Sequence, residues 1–451
     1  MKKLVLFLTA FALLAANAIA QPESMFGERT VSMAGKVVRA WDAGDGIISY
    51  YENSLGEGTV GLILSTSGTT INEFSLPSGY HVADLRVVGN DVYMCGRLSD
   101  ASGSRGIVMR FDANELATAV PVSLDVQPFP ANVATHLDKL AAYELSPGYF
   151  KVVAIGSYEE IRPNYLCGVD VAVECDYRGG TCTLALYVTV GNGITLENYE
   201  HLHDVVVTDN YVAIVGNVTN ILVLGVGDNI SLRVGDKANV LRTMFVARPA
   251  YYYVPSGDVP MSVNIATAMN GDNIATACLS HDMGSPDLFR IQIRYFDLTN
   301  MMMTNSQWMR LGTKYAPSEL VYVPADKSVV MLGEFDFPSA GDDESTFLFL
   351  EPLKTMPYTA YGMYQPGEPF TSATCFRSHY VTGLSRARWL LKDKLMPLAN
   401  NCYKFGKRDF AVDDVVKYNM VMFTYNFLPG PPSILLSEAV NVVPFRLNCV
   451  H

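Results

Sequence analysis

HVADLRVVGNDVYMCGRLSDASGSRGIVMRFDANEL, residues 81–116, alternates short strand-forming segments with polar turns. Asp84–Val88 and Val92–Gly96 flank the turn Gly89-Asn90-Asp91, whose glycine and asparagine accept positive φ at little cost. A polar loop then leads to a third apolar segment, Gly106–Phe111. This order predicts antiparallel strands joined by tight turns, with a fourth strand to follow.

Hairpins of the same kind recur along the chain at intervals of about 40 to about 60 residues. They are predicted at Val37–Tyr50, Leu85–Cys95, Leu140–Ile155, Val205–Val215, Ile265–Cys278, Leu320–Leu332, Cys375–Leu384 and Val415–Phe423. Most of their turns are polar and rich in Gly, Asn or Asp, whereas the last, Lys417-Tyr418-Asn419, contains no glycine. A single four-stranded sheet cannot bury both of its faces, so such units must stack on one another.

The recurrence resembles that of β-propeller repeat proteins and extends over residues 30–449. The predicted fold is therefore all-β, a propeller of four-stranded blades. Eight hairpins favour eight blades, and seven blades follow if the last two short repeats share one. An ordinary β-sandwich does not explain so many similar repeats. No WD dipeptide, kelch double glycine or sialidase Asp-box recurs, so the resemblance identifies no subfamily.

The first 20 residues have the pattern of a secretory signal peptide. Lys2 and Lys3 precede the apolar run Leu4–Ala16, and Ala18-Ile19-Ala20 is an A-x-A cleavage site. The apolar run is short for a membrane span, and no later stretch is long and apolar enough for one. We therefore expect a signal peptide at 1–20, a single propeller domain at 21–451, and a secreted or periplasmic protein.

Charge and cysteine content narrow the classes of partner. Cleavage removes two lysines and lowers the net charge from −12 to −14, which argues against a nucleic-acid ligand. Export permits disulfides, and two of the three neighbouring cysteines Cys167, Cys175 and Cys182 are expected to pair. Cys95 and Cys278 occupy equivalent second-strand positions and are expected to be buried thiols.

Histidines and carboxylates precede or open successive first strands, and propeller geometry would bring them to one face. The resulting ligand-site prediction comprises His81, Asp84, His136, Asp138, His203, Asp204 and Glu319. Such groups can bind a ligand or transfer protons, although an Asp at a strand start often only bonds a neighbouring turn. No metal ion or cofactor is predicted.

Loops on the same face supply a second indication. The segment Glu159–Thr181 is predicted to be the longest loop, and Glu334–Glu344 is an acidic loop that matches no EF-hand. No serine-hydrolase or zincin motif occurs. These features favour a secreted binding or scaffold module for a protein or glycan over an enzyme. The alternative is a glycan hydrolase or lyase that uses His and carboxylate side chains at the channel mouth.

Overall fold

The computed structural model describes 27–30, 36–43, 46–63, 70–118, 122–126, 134–162, 165–190, 199–219, 229–243, 245–249, 258–260, 265–282, 285–311, 314–324, 328–336, 343–350, 359–366, 370–376, 379–384, 388–391, 404–409, 418–422 and 445–446. Strands dominate these residues. The first half of the chain contributes β1 (Gly27–Thr30), β2 (Lys36–Asp42), β3 (Ile47–Glu52), β4 (Gly58–Ile63), β5 (Thr70–Ser75), β6 (Tyr80–Val88), β7 (Asp91–Asp100), β8 (Gly103–Asp112), β9 (Val122–Val126), β10 (Thr135–Ser146), β11 (Tyr149–Arg162), β12 (Tyr165–Arg178), β13 (Thr181–Val190), β14 (Tyr199–Val207), β15 (Tyr211–Thr219) and β16 (Asn229–Asp236).

The second half continues with β17 (Phe245–Pro249), β18 (Asp258–Pro260), β19 (Ile265–Ala268), β20 (Asn273–Asp282), β21 (Ser285–Asp297), β22 (Met302–Leu311), β23 (Lys314–Val323), β24 (Ser328–Asp336), β25 (Asp343–Leu350), β26 (Thr359–Pro366), β27 (Phe370–Phe376), β28 (His379–Leu384), β29 (Arg388–Leu391), β30 (Lys404–Asp409), β31 (Tyr418–Met422) and β32 (Phe445–Arg446). The helices among the described residues are a 3-10 turn at Ala113–Thr118 and α1, Val240–Thr243.

Consecutive strands pair into antiparallel sheets, as the repeat predicted. Strands β2–β5, β6–β9 and β10–β13 each form a four-stranded sheet in chain order. Strands β14–β17 and β18–β22 are joined into one larger sheet by β31, and β23–β26 are extended by β30 and β32.

The last sheet is completed by the beginning of the chain. Strands β27, β28 and β29 pair in order, and β1 adds to the outer edge of β29 with Gly27 opposite Leu391. Residues distant in sequence are thus hydrogen-bonded in one sheet.

The first seven predicted hairpins all correspond to antiparallel strand pairs, but the eighth prediction is wrong. Tyr418 and Asn419, predicted in a turn, lie inside β31 and pair with Met303 and Met302 of β22. The segment has no glycine to supply a positive φ, and its apolar residues favour the extended conformation. The choice between seven and eight blades stays a prediction.

Both faces of the inner strands are buried because the sheets pack on one another. On β7, Val92 and Met94 belong to a core shared with β3, whereas Tyr93 and Cys95 point into a core shared with β10 and β11. Cys95 is fully buried and Cys278 is 3% exposed, so the two thiols are buried as expected. The stacked four-stranded sheets define an all-β protein with the β-propeller fold.

Candidate functional site

The same irregularity recurs near the start of several first strands. The pairing of β2, β6, β10, β14 and β23 with the following strand shifts by one residue, which is the signature of a β-bulge. The residues that immediately follow the shift are Arg39, Asp84, Lys139, Asp204 and Glu319. All five are charged, and their signs alternate over the first four. In these five strands the bulge therefore presents one charge each, whereas in β27 the residue that follows the same shift is Ser372.

Glycines on the second strands allow this bulge to form. Gly96, Gly156 and Gly216 lie opposite the residue that precedes the bulge in β6, β10 and β14. A Cβ atom on Gly96 would lie 1.9 Å from the carbonyl oxygen of His81, and the other two glycines approach a histidine carbonyl equally closely. No residue larger than glycine fits without moving the backbone.

The register corrects the predicted alignment of the histidines. His81, His136 and His201 occupy equivalent positions, two residues before the shift, whereas His203 lies in the bulge itself. Asp138 also lies in a bulge, so its position matches that of His203 and not that of Asp84 or Asp204. The residue equivalent to those two aspartates is Lys139. The sequence contains the shared pattern at these strands: a histidine, an apolar residue, any residue and then a charged residue. Matching the carboxylates of the three strands, as the prediction did, hides this pattern because the charged residue of β10 is a lysine.

Asp84 is the most strongly engaged of the predicted site residues. Its side chain is 1% exposed, and its Oδ1 lies 2.6 Å from Nη1 of Arg86 and 3.6 Å from Nε of Arg39. Its Oδ2 accepts a 3.0 Å hydrogen bond from the backbone N–H of Leu140, on the first strand of the next sheet. Asp84 therefore joins two sheets as well as balancing two cations.

Asp204 repeats the intersheet contact but not the ion pairs. Its Oδ2 accepts a 2.9 Å hydrogen bond from the N–H of Ala266, again on the next first strand. Its Oδ1 accepts the N–H of Val205, also at 2.9 Å. Within the part of the chain that the structure describes, no cation lies within ion-pair distance of this carboxylate.

The pKa values of the two aspartates shift in opposite directions, because Asp84 has two cations within ion-pair distance and Asp204 has none among the described residues. Burial disfavours charge on both, but Arg86, Lys139 and Arg39 hold the pKa of Asp84 below its ordinary value. At Asp204 burial prevails over Lys139 and the Ala266 N–H, and the pKa is raised. Glu319 faces the same group, since it acts with both aspartates to raise the pKa of Arg86 against the effect of burial.

A second group of polar side chains lies on the outer side of the bulges, between β10 and β14. His136 Nε2 is 3.0 Å from Ser157 Oγ and 3.6 Å from Asp138 Oδ2. His201 Nδ1 is 3.4 Å from Asp170 Oδ2, and the rings of His201 and His203 are 6.1 Å apart. We call His136, Asp138, Asp170, His201 and His203 the histidine–aspartate cluster.

The histidine–aspartate cluster is open to solvent except at Asp170, which is 8% exposed. The side chains of His136 and Asp138 are 42% and 57% exposed. Desolvation by the surrounding groups raises the pKa of Asp138, which His136 opposes and the neighbouring Asp170 reinforces. His81 occupies the equivalent position on β6, but its side chain makes no hydrogen bond or ion pair to the residues that the structure describes. Among those residues, no three His, Cys, Asp or Glu side chains are placed to hold a metal ion.

A cavity of about 720 Å³ lies at the other end of the first strands. Its lining begins at Lys139, Asp204 and Glu319 and continues towards the turn at Gly89 and Asn90. The remaining lining residues are Trp41, Ala43, Arg86, Val87, Ala141, Ala142, Val205, Val206, Val207, Ala266, Thr267, Ala268, Ser318, Leu320, Val321 and Tyr322. Two predicted site residues, Asp204 and Glu319, thus line the cavity, whereas the predicted histidines do not.

The residues of the two predicted loops lie largely in strands. Glu159–Thr181 is not a loop, because β11 and β12 continue as a long hairpin with Arg162 opposite Tyr165. In the acidic segment, Glu334 and Asp336 belong to β24, and Asp343 and Glu344 to β25, while 337–342 lie outside the described residues. Cys175 and Cys182 are free thiols, and the side chain of Cys167 lies outside the described part, so the pairing stays a prediction.

Comparisons with known proteins give similarity of fold without a family. No protein-family model and no curated protein matches the chain. Extracellular domains 1-2 of Semaphorin 1a from Drosophila are 10% identical, with 83% of this chain and 88% of that chain covered and a TM-score of 0.43. A subtype N10 neuraminidase-like protein of a little yellow-shouldered bat isolate from Guatemala is also 10% identical, with 69% and 95% covered and a TM-score of 0.35. Neither similarity bears on what this chain does.

The protein is thus assigned to a class by its own sheets, which are those of a β-propeller. No helix in the described residues is long and apolar enough to cross a membrane.

Proposed function

We propose that this protein is a secreted β-propeller that binds a protein or glycan ligand through the face on which its first strands begin. The observation that supports binding over catalysis is the state of the buried carboxylates. Asp84 and Asp204 each accept backbone N–H groups on both oxygens, from their own strand and from the next sheet. Carboxylate oxygens that already accept backbone N–H groups are not free to attack a substrate as nucleophiles.

The ligand in this proposal contacts the outer residues of the site. In this proposal His81, His136, Asp138 and His203 contact the ligand, and Asp84, Asp204 and Glu319 support them. His136 Nε2 and Asp138 Oδ2, 3.6 Å apart, and the rings of His201 and His203, 6.1 Å apart, offer hydrogen-bond donors and acceptors close to one another. That mixture suits sugar hydroxyls or the polar side chains of a protein.

The catalytic alternative is supported by one feature, the solvent-exposed pair of His136 and Asp138 at 3.6 Å. A glycan hydrolase or lyase would use such a pair as acid and base. The pair lies on an open rim and is absent from the lining of the described cavity, which is why binding is preferred here.

The experiment is a screen of the purified mature chain against glycans and exported surface proteins. For any ligand found, His136→Ala should weaken binding about tenfold, the effect of losing about 1.4 kcal/mol. Glu144→Gln is the matched control, because Glu144 is exposed near the opposite end of β10. Equal affinity of both variants and the wild type would place the ligand elsewhere. Turnover of a bound glycan that disappears in His136→Ala would establish the catalytic alternative instead.

A further inference from the structure

Two cysteines face each other across the hairpin of β12 and β13. Tyr177 is directly opposite Cys182, and Cys175 is opposite Leu184, so the two cysteines lie on the same side of the hairpin as diagonal neighbours. Cys175 is fully buried, and Cys182 packs partly buried against the same core. The two thiols are close enough for each to shift the pKa of the other. They are therefore neighbours in space as well as in the hairpin.

The third cysteine of this region is too far away to compete. Cys167 lies on β12, eight residues before Cys175, and pairs through its backbone with Glu160. At about 3.3 Å per residue, an extended strand separates them by about 26 Å. A disulfide requires Cα atoms within about 7 Å, so Cys167 cannot bond to either of the others in this fold.

The two thiols differ in reactivity. The Cys175 thiol lowers the pKa of Cys182, with help from Tyr177 and against the effect of burial. The Cys182 thiol, together with burial, raises the pKa of Cys175. The thiolate is the nucleophilic form, and Cys182 is the more exposed of the two, so it reacts first with an external oxidant.

We propose that Cys175 and Cys182 form a reversible disulfide, with Cys182 as the attacking thiol. The oxidant is a small-molecule or protein disulfide, as exported proteins meet. The Cys182 thiolate attacks one sulfur of that disulfide and releases the other as a thiolate. The Cys175 thiolate then attacks the Cys182 sulfur and releases the second thiol. One S–S bond forms in the hairpin, and the oxidant takes up two electrons and two protons.

The turn beside the pair permits the approach that the bond requires. Diagonal neighbours on adjacent strands are about 7–8 Å apart at Cα, slightly beyond the roughly 7 Å limit of disulfide geometry, so the bond requires a small movement of the backbone. Gly179 and Gly180 form the turn, with φ of 55° and 81°, values that glycine adopts without strain. In this proposal, adjustment at the turn brings Cys182 towards Cys175.

Peptide mapping of the full mature chain tests the proposal. The protein is incubated with glutathione disulfide, alkylated and cleaved with a protease that cuts before aspartate. Cuts before Asp170, Asp176 and Asp204 place Cys175 on peptide 170–175 and Cys182 on peptide 176–203, with Cys167 on a third. We expect 170–175 linked to 176–203, and loss of that linkage in Cys175→Ser and in Cys182→Ser. Cys278→Ser, which removes a buried thiol elsewhere, is the control and should leave the linkage intact.

The pH dependence of thiol alkylation in the reduced protein provides a second test, which does not require the disulfide-linked form of any variant. The rate of Cys182 alkylation against pH in the reduced wild type should reach half its maximum below 9.0, the ordinary value for a thiol. In Cys175→Ala, which removes the thiol without supplying another donor, the midpoint should move upward. The proposal fails if Cys175 and Cys182 both stay fully alkylatable after treatment with glutathione disulfide, or if either is found linked to Cys167.

Discussion

Asp84 and Asp204 occupy the same place in their sheets, yet they should respond differently to the same substitution. Asp84→Asn leaves Arg86 and Arg39 without their counter-charge in a buried site and should destabilise the fold by about 3 kcal/mol at pH 7. Asp204→Asn removes a buried charge that has no cation within ion-pair distance among the described residues, but its single amide oxygen leaves one of two backbone N–H groups without an acceptor, so it should cost about 1 kcal/mol. Chemical denaturation at pH 7 measures both. Equal losses would mean that the ion pairs of Asp84 contribute nothing beyond its intersheet hydrogen bond.

The two aspartates should also have opposite effects on stability as pH changes. The lowered pKa of Asp84 contributes stability above its unfolded value near 3.8 that is lost as the pH falls through the folded value. The raised pKa of Asp204 contributes stability below 3.8 that is lost as the pH rises through its folded value. Relative to wild type, Asp84→Asn should therefore be more damaging at pH 7 than at pH 3, and Asp204→Asn less damaging. The measurement is the free energy of unfolding of each variant and of the wild type at pH 3 and pH 7. If the loss of stability changed in the same direction with pH for both variants, the opposite pKa shifts would be contradicted.

Residue identity in the sequence predicted part of the site. The sequence predicted the acidic and histidine residues near the strand starts but not the bulge, because the bulge interrupts the alternation by a single residue within a strand of nine residues. The shift explains why His201, and not His203, matches His81 and His136. It also explains why Lys139 was overlooked. Arg86 and Asp170 were missed because their roles depend on contacts between neighbouring strands and sheets.

The bulge itself can be tested through its glycines. A Cβ atom on Gly156 would lie 2.0 Å from the carbonyl oxygen of His136, which is backbone and cannot rotate away. Gly156→Ala should therefore destabilise the protein by about 2 kcal/mol and displace His136. Ser157→Ala, at the next position of β11, removes only the hydroxyl near His136 and should cost less than about 1 kcal/mol. Thermal unfolding of both variants provides the comparison, and an undisturbed Gly156→Ala protein would show that the backbone adapts freely.

Among the structural elements, the sequence predicted the hairpins better than the loops. Glycine-containing turns such as those at Gly89, Gly148 and Gly271 adopt positive φ, and the strands on either side lie where the pattern predicted. The segment after Glu159 was predicted to be the loop that joins the second strand to the third and holds or borders the three neighbouring cysteines. Pairing with β11 nevertheless keeps it extended up to Arg178. Backbone hydrogen bonds to a neighbour, which a sequence window does not contain, outweighed the local composition.

The whole molecule depends on its first strand for closure. Deleting residues 21–35 from the mature chain removes β1 and exposes the edge of β29. The melting temperature should fall by about 4 °C or more, which corresponds to roughly 2 kcal/mol in a large domain. Deleting only 21–26 leaves β1 in place and is the control. Identical melting of the two truncated proteins would indicate that β1 contributes nothing to the stability of the last sheet.

Export can be tested on the intact protein. The Ala18-Ile19-Ala20 site predicts a mature chain that begins at Gln21 and is found outside the cytoplasm. Mass spectrometry of the N-terminal peptide from the exported fraction gives the start directly. Recovery of Met1–Ala20 on the mature product would exclude a cleaved signal peptide.

The pairing of β1 with β29 also constrains the time course of folding. If the chain emerges from its amino end, β1 appears first, but its partner follows only after more than 350 further residues. The intervening sheets can pair locally as they appear, since each hairpin joins neighbours in sequence. The ring can close only when β29 has emerged, so a nascent chain stalled earlier carries two unprotected ends. A chaperone that binds the nascent protein would therefore be needed longest at these two ends, and it would dissociate when β1 pairs with β29.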